Sequence, residues 1–172
     1  MRERISVTIL GCGSSGGVPR IDGDWGDCDP KEVKNLRSRC SLLVQKFNEN
    51  QESTTVLIDT SPDIRNQLLR AGIKDIDAVL YTHDHADQCG GIDDLRVFAL
   101  RKRKKVQVYL DEKTASRLIP RFSYCFSTFD DKVYPAILEK NIINPYESFE
   151  INGKGGKIEF LPFLQKHGKI DS

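Results

Sequence analysis

No stretch of this 172-residue sequence approaches the roughly 20 uninterrupted apolar residues of a membrane-spanning helix. The opening Met1-Arg2-Glu3-Arg4 leads only into a brief strand-like run, Ile5 to Leu10. No small-residue cleavage site follows it, so a secretory leader is not expected. An excess of charge is lacking too: 26 Lys and Arg face 25 Asp and Glu, a formal charge of +1. That balance argues against a nucleic-acid coat or a polybasic membrane binder, whose affinity needs a large excess. It leaves room for an enzyme that holds a phosphate ester in a local pocket. The five cysteines are odd in number, widely spread and without a C-x-x-C pair. A disulfide-stapled secreted domain would show an even, clustered set, so a reduced, cytoplasmic setting is the expectation.

What is present describes an ordinary globular mixture, 38% hydrophobic and 30% charged, of a length suited to a single domain over 1–172. Ile5 to Leu10 alternates apolar and polar residues and reads as a strand running into Gly11-Cys12-Gly13-Ser14-Ser15-Gly16-Gly17. Residues 18–39 hold Pro19, Gly23, Gly26 and Pro30 with no sustained period, an irregular excursion. Strands are expected at 41–47 and 54–59, joined as a hairpin. Ser61-Pro62-Asp63 carries helix-start chemistry, with Ile64, Leu68 and Leu69 on one face and Ala71-Gly72 as the stop. Further strands are expected at 77–82, 106–110, 148–151 and 157–164. Helices are expected over 91–100, with Ile92, Leu95, Phe98 and Ala99 inward, and over 113–119.

Only three histidines occur in the chain, and two of them fall in Thr82-His83-Asp84-His85-Ala86-Asp87-Gln88. At an extended strand end, residues two apart point the same way, so His83, His85 and Asp87 would converge on one side. Two imidazoles and a carboxylate aimed at one point suit a catalytic transition-metal site. The third histidine, His167, follows a strand-like segment. Spacing alone leaves this reading level with the plain one of isolated surface histidines.

The run Val79 to Asp87, continuing into Gly90-Gly91-Ile92-Asp93-Asp94-Leu95, resembles the H-x-H-x-D-H signature of metallo-β-lactamase-fold hydrolases. The opening Gly11 to Arg20 and the strand ending Leu57-Ile58-Asp59-Thr60 are similar to a bacterial subgroup of that family, related to cyclic-phosphate phosphodiesterases and more distantly to ribonuclease Z-type enzymes. The resemblance implies an α/β (α+β) fold, an αββα sandwich of two sheets with helices outside. It implies two metals, commonly zinc and sometimes manganese or iron, and hydrolysis of a phosphodiester (a cyclic phosphate or a nucleotide) by metal-activated water. It places His83, His85 and His167 in the first metal site and Asp87 in the second, where Asp87 also orients water. It gives Asp59 the work of holding ligand-bearing loops by hydrogen bonds.

The resemblance also has a gap. The signature's final His is Gln88 here, a weaker ligand, and the family's bridging Asp and last His would fall beyond His167. The sequence thus reads as the N-terminal two-thirds of the family domain, incomplete at the C-terminus, with one metal or none. The alternative to an active hydrolase is a folded remnant that binds at most one metal. Strand edges left open around Lys157 to Leu164 lead to an expected homodimer.

Weaker signals have plainer readings. Gly11-x-Gly13-x-x-Gly16 formally matches a dinucleotide fingerprint, but Pro19 and Gly23 oppose the helix which that motif demands. Arg101 to Lys105 suits a solvated helix end better than RNA capture. Cys12, Cys28 and Cys40 match no standard zinc finger and are expected as buried thiols, and Cys89 as a packing residue beside the histidine loop. Trp25 either lines a pocket or anchors its loop; the sequence leaves both open.

Overall fold

The computed structural model describes residues 3–128, 135–168 and 170–171; Met1 and Arg2 of the basic start lie outside them. Six strands form one mixed sheet in chain order: β1 (Arg4–Gly11), β2 (Ser41–Phe47), β3 (Ser53–Ile58), β4 (Ala78–Leu80), β5 (Val106–Leu110) and β6 (Leu138–Ile142). The first three pair antiparallel and the last three are added parallel to β3. Each parallel step needs a crossover, and helices supply it. These are α1 (Ile64–Arg70), then α2 (Ala86–Cys89) with a 3-10 turn at Ile92–Leu95 and α3 (Arg96–Lys102), then α4 (Glu112–Arg121) and α5 (Ser123–Phe126).

Strand alternation sorts the side chains into two layers. Leu43, Leu57, Val79 and Val108 point to one face and meet Ile64, Leu68, Ile92, Leu95, Phe98 and Leu118 of the helical side in the main core. Val56 and Ala78, with the half-buried Val44, Ile58, Leu80 and Tyr109, point to the other face. There they meet the antiparallel hairpin β7 (Phe149–Gly153) and β8 (Gly156–Phe160), through Ile151 and Ile158. The Thr54 hydroxyl donates to the Gly156 carbonyl at 2.6 Å and Asn48 Nδ2 to that of Lys154 at 2.9 Å, seating the hairpin turn on β2 and β3. A two-residue ribbon, β9 (Lys166–His167) with β10 (Ile170–Asp171), carries the last histidine. Sheet, outer helices and opposing hairpin give the mixed α/β arrangement expected from the resemblance.

Several local expectations are corrected. Helix 91–100 is split into a 3-10 turn and α3, though Ile92, Leu95, Phe98 and Ala99 are all buried as their spacing required. Leu69 is exposed; α1 buries Gln67 beside Ile64 and Leu68. That glutamine bonds Ser38 Oγ at 3.0 Å and the Arg39 carbonyl at 2.7 Å, so its polar head is satisfied and ties the end of the excursion to α1. The strand expected to reach Leu164 ends at Phe160, because Leu161 and Pro162 leave the hairpin. Strand β6, with one buried residue among Leu138 to Ile142, carries almost no period. Cys12 and Cys40 are exposed and Cys28 half-buried rather than buried. Cys12 and Cys40 flank the close approach of Gly11 to the Arg39 backbone, where a Cβ on Gly11 would stand 2.1 Å from the Arg39 carbonyl oxygen.

The turn after the histidine loop is equally tight. Gly91 N donates to the Thr60 carbonyl at 2.9 Å, and a Cβ on Gly91 would stand 2.3 Å from the Ser61 carbonyl oxygen and 2.5 Å from Ile64 Cγ2. Backbone on one side and a fully buried side chain on the other leave no easy relief. Gly91→Ala is therefore expected to cost about 1–3 kcal/mol by overpacking, read as a lower urea midpoint with an unchanged slope.

Candidate metal centre

The loop from Thr82 to His85 leaves the C-terminal end of β4, and its direction is set from behind by Asp59, just past the end of β3. Asp59 holds a left-handed backbone, φ 61°, which aspartate tolerates better than most residues. Its N–H donates to the Leu80 carbonyl at 2.8 Å, carrying the β3–β4 contact one residue further. Its carboxylate is buried and accepts from Thr82 N on Oδ1 and from Thr82 Oγ1 on Oδ2, both at 2.8 Å. Burial pushes the Asp59 carboxyl up to about 7, and nearby Asp87 adds to the rise, while the two bonds from Thr82 act against it.

On the other side of the loop, Asp84 turns away from the histidines. Its carboxylate pairs with Arg121 at 2.7 Å and Arg117 at 3.6 Å, both on α4, and Arg121 also donates to the Asp84 carbonyl at 2.6 Å. Alternation at the strand end thus sends His83 and His85 one way and Asp84 the other. The alternation stops there. His85 is the cap of α2, so Asp87 enters a helical turn instead of continuing the extended run on which its convergence was argued.

His83, His85 and His167 come together, with one ligand nitrogen from each, all within 4.8 Å of one another. His83 is buried and the other two are exposed. His83 Nε2 lies 3.0 Å from His85 Nδ1, and the three ring centroids are 4.5, 4.9 and 5.3 Å apart. Two nitrogens bound to one tetrahedral ion at about 2.0–2.1 Å would stand about 3.3 Å apart, so the pair is near ligating separation. Burial first, then the neighbouring imidazoles of His85 and His167, lower the pKa of His83 and favour its neutral, ligating form. Among the described residues this is the one group of three His, Cys, Asp or Glu side chains that can hold a metal ion. Three imidazole ligands fit a borderline transition metal such as zinc.

Asp87 stands beside this group, close enough to affect His83 and Asp59 electrostatically. Its Oδ2 accepts from Gln88 Nε2 at 3.0 Å, and Gln88 is buried with its carbonyl taking the Thr60 N–H at 2.7 Å. Cys89 is buried with its thiol pushed up to about 11, chiefly by burial, consistent with packing. Sequence reasoning passed over Thr82 and Arg121. The first could have been found from its place immediately before the histidine run, whereas Arg121 lies 37 residues from its partner and left no local trace. An apolar cavity of about 280 Å³ opens beside the loop, lined by Ile58, Leu80, Thr82, Phe149, Phe160 and Phe163 among others.

A model of the Beta-lactamase superfamily domain matches residues 54–172, more than two-thirds of the chain and all of the loop just described. The chain belongs to that superfamily. Within it, the chain is similar to a new diphosphatase of the PhnP family, with 35% identity, a TM-score of 0.77, and coverage of 98% of this chain and 60% of that one. It shares its fold with Zn2+-bound PqqB from Methylobacterium extorquens, at 21% identity and a TM-score of 0.55, covering 85% of this chain and 48% of that one. An octanoyltransferase of Porphyromonas gingivalis (strain ATCC BAA-308 / W83) is 37% identical over 118 residues, 69% of this chain and 23% of that protein. The chain thus spans under a quarter of its curated relative and three-fifths of the diphosphatase. The superfamily is one of metal-dependent hydrolases, and the histidine group is the place where a divalent metal can sit.

Two outcomes follow for the purified protein. Elemental analysis after dialysis against zinc should find one equivalent per chain, falling to none in His83→Ala. In metal-free protein, Asp59 keeps its proton to about 7 when folded but releases it near 3.8 when unfolded. The folded state therefore binds more protons between these values, and the Asp59 contribution to stability should fall as pH rises from about 4 to 7. Asp59→Asn should flatten that part of the stability–pH curve in urea titrations.

Proposed function

We propose that this chain is a metal-dependent hydrolase of phosphate esters, with zinc, or manganese or iron in its place, held by His83, His85 and His167. The observation that carries the reading is the convergence of the three imidazole nitrogens on a loop gripped by Asp59 and Asp84. A PhnP-family diphosphatase at 35% identity supports a phosphorus-containing substrate over a β-lactam. When bound, a divalent ion supplies Lewis acidity, making water nucleophilic near neutral pH and polarising the phosphoryl oxygen. Asp87, adjoining the imidazoles with one oxygen engaged by Gln88, has the other available to orient that water and take its proton. Asp59 keeps the loop in place from behind. The apolar cavity beside Thr82 suits the organic part of a nucleotide or aryl ester. Helix α3 ends with Arg101 and Lys102 engaged by Asp75, which leaves less of the basic block for RNA. No described helix is long and apolar enough to cross a membrane, and the five free cysteines suit a cytoplasmic setting.

One observation favours a second reading, a folded domain that binds one metal without turnover. The position after Asp87, a histidine in the signature this sequence resembles, is a buried amide whose nitrogen donates to Asp87. Hydrolysis of bis-p-nitrophenyl phosphate by the zinc-loaded chain separates the two. The hydrolase reading expects turnover that drops at least 100-fold in His83→Ala and His167→Ala. Background rates with one zinc bound would overturn it in favour of the second.

Assembly is proposed on separate grounds. Edge strand β1 exposes Ile5, Val7 and Ile9 as an apolar row on the face that the β7–β8 hairpin leaves uncovered. A second copy of this chain would cover it, at β1 and not at the Lys157 to Leu164 edge from which a homodimer was expected. Sedimentation velocity at micromolar concentration should show a dimer that Val7→Lys returns to monomer; a wild-type monomer would dismiss the idea.

A further inference from the structure

We infer that Thr82 is the positioning residue for His83: locked as a donor to Asp59, its hydroxyl fixes the imidazole in the tautomer whose Nε2 lone pair faces His85 and His167. The inference rests on the metal-centre reading and deepens it. A threonine hydroxyl has one proton to give. Asp59 Oδ2 receives it at 2.8 Å, while Asp59 Oδ1 is taken by Thr82 N at the same distance. His83 Nδ1 stands 2.9 Å from the same hydroxyl oxygen. With its proton committed, that oxygen can only accept, so Nδ1 must be the nitrogen that carries hydrogen. A neutral imidazole protonated on Nδ1 has a bare Nε2, and Nε2 is the atom 3.0 Å from His85 Nδ1.

The arrangement cannot readily reverse, because each member is held elsewhere. Asp59 is fixed by its own N–H to Leu80, by its carbonyl accepting from Ser41 Oγ at 3.0 Å, and by burial. His83 is buried too. A ligating histidine usually gives its other N–H directly to a carboxylate or carbonyl. Here the carboxylate lies one residue further back and reaches the ring through a hydroxyl. Asp59 therefore does more than brace the loop: its charge sets the direction of both hydrogen bonds.

The test uses three substitutions in the full chain at pH 8, above the value of about 7 to which burial raises Asp59. Zinc affinity is read by competition with a chromophoric chelator, and the His83 tautomer of the metal-free protein by long-range 15N–1H correlation. Wild type should show hydrogen on Nδ1. Thr82→Val keeps shape and backbone bond but removes the hydroxyl, and should weaken zinc binding 10–100-fold. Thr82→Ser should restore affinity to within about threefold. Asp59→Asn is nearly isosteric, but its amide would donate to the hydroxyl, free the hydroxyl proton for His83 Nδ1 and move the ring hydrogen to Nε2. Its zinc affinity should fall as in Thr82→Val with the cavity intact. Wild-type affinity in Thr82→Val, or Nδ1 still protonated in Asp59→Asn, would overturn the inference. Should Thr82→Val fail to fold, the serine and asparagine variants decide it. A wild-type chain that binds no zinc yet shifts its tautomer in Asp59→Asn would refute the metal reading and uphold the positioning.

Discussion

The arrangement of the whole loop depends on one buried carboxylate. Asp59 lies where two parallel strands end side by side, in a left-handed backbone, with both oxygens occupied by a single threonine. An ionised carboxylate removed from water is costly unless hydrogen bonds replace its hydration. The two bonds from Thr82 offset only part of that cost, which is why burial still raises the carboxyl to about 7. The fold tolerates this because the hydrophobic layers on either side of β3 and β4 are close-packed. Leu57 and Val79 are fully buried on the helical side, Val56 and Ala78 on the other. Stability made in the sheet is spent at its C-terminal edge, the usual place for ligands in open α/β sheets.

The loop is gripped from both sides by groups of the same sign. Asp59 holds it at Thr82 and Asp84 holds it to α4 through Arg117 and Arg121, so the histidines between have little freedom to turn away. Both aspartates use strand-end geometry: alternate residues face opposite directions, and the outward one is tied down while the inward ones are presented. The same acidic neighbourhood acts on the centre. Asp84 and Asp87 favour the charged form of His83, and burial with the other imidazoles opposes them and wins. A lone exposed histidine would have no such preference.

Much of this could be read from the chain. The short apolar and β-branched runs in 41–47 and 54–59 placed β2 and β3 to within a residue, since strands filled on both faces read as near-continuous apolar runs. Ile92, Leu95, Phe98 and Ala99 carried their helical spacing although the segment is partly 3-10, because burial follows facing direction more than helix type. The histidine pair was legible from period two, and His167 joined it through family resemblance alone. What failed had long-range causes. Leu138 to Ile142 forms a strand only because β5 offers an edge to pair with. Leu69 was assigned inward by apolarity, yet the neighbouring polar Gln67 is the residue with buried partners waiting at Ser38 and Arg39. Cys12 and Cys40 followed the habit of free thiols to be buried, whereas the glycine-permitted approach of two backbones leaves both at the surface.

The three histidines are not held alike, and this shapes what a metal would do on the proposed reading. His83 is buried and hydrogen-bonded on Nδ1, and His85 caps a helical turn whose amides from Gln88 to Gly90 are satisfied within it. Both are held by hydrogen bonds made within the loop itself. His167 sits on a two-residue ribbon outside the main sheet, after a stretch from Leu161 to Leu164 whose large side chains are mostly exposed. An ion bound by all three would therefore join residues 84 positions apart, from His83 to His167. The third ligand makes such an ion a long-range tie between the β4 loop and the segment after β8. On that reading the centre is as much a clasp for the end of the described chain as a place for chemistry. The structural work of the ion then falls where the hydrophobic layers do not reach.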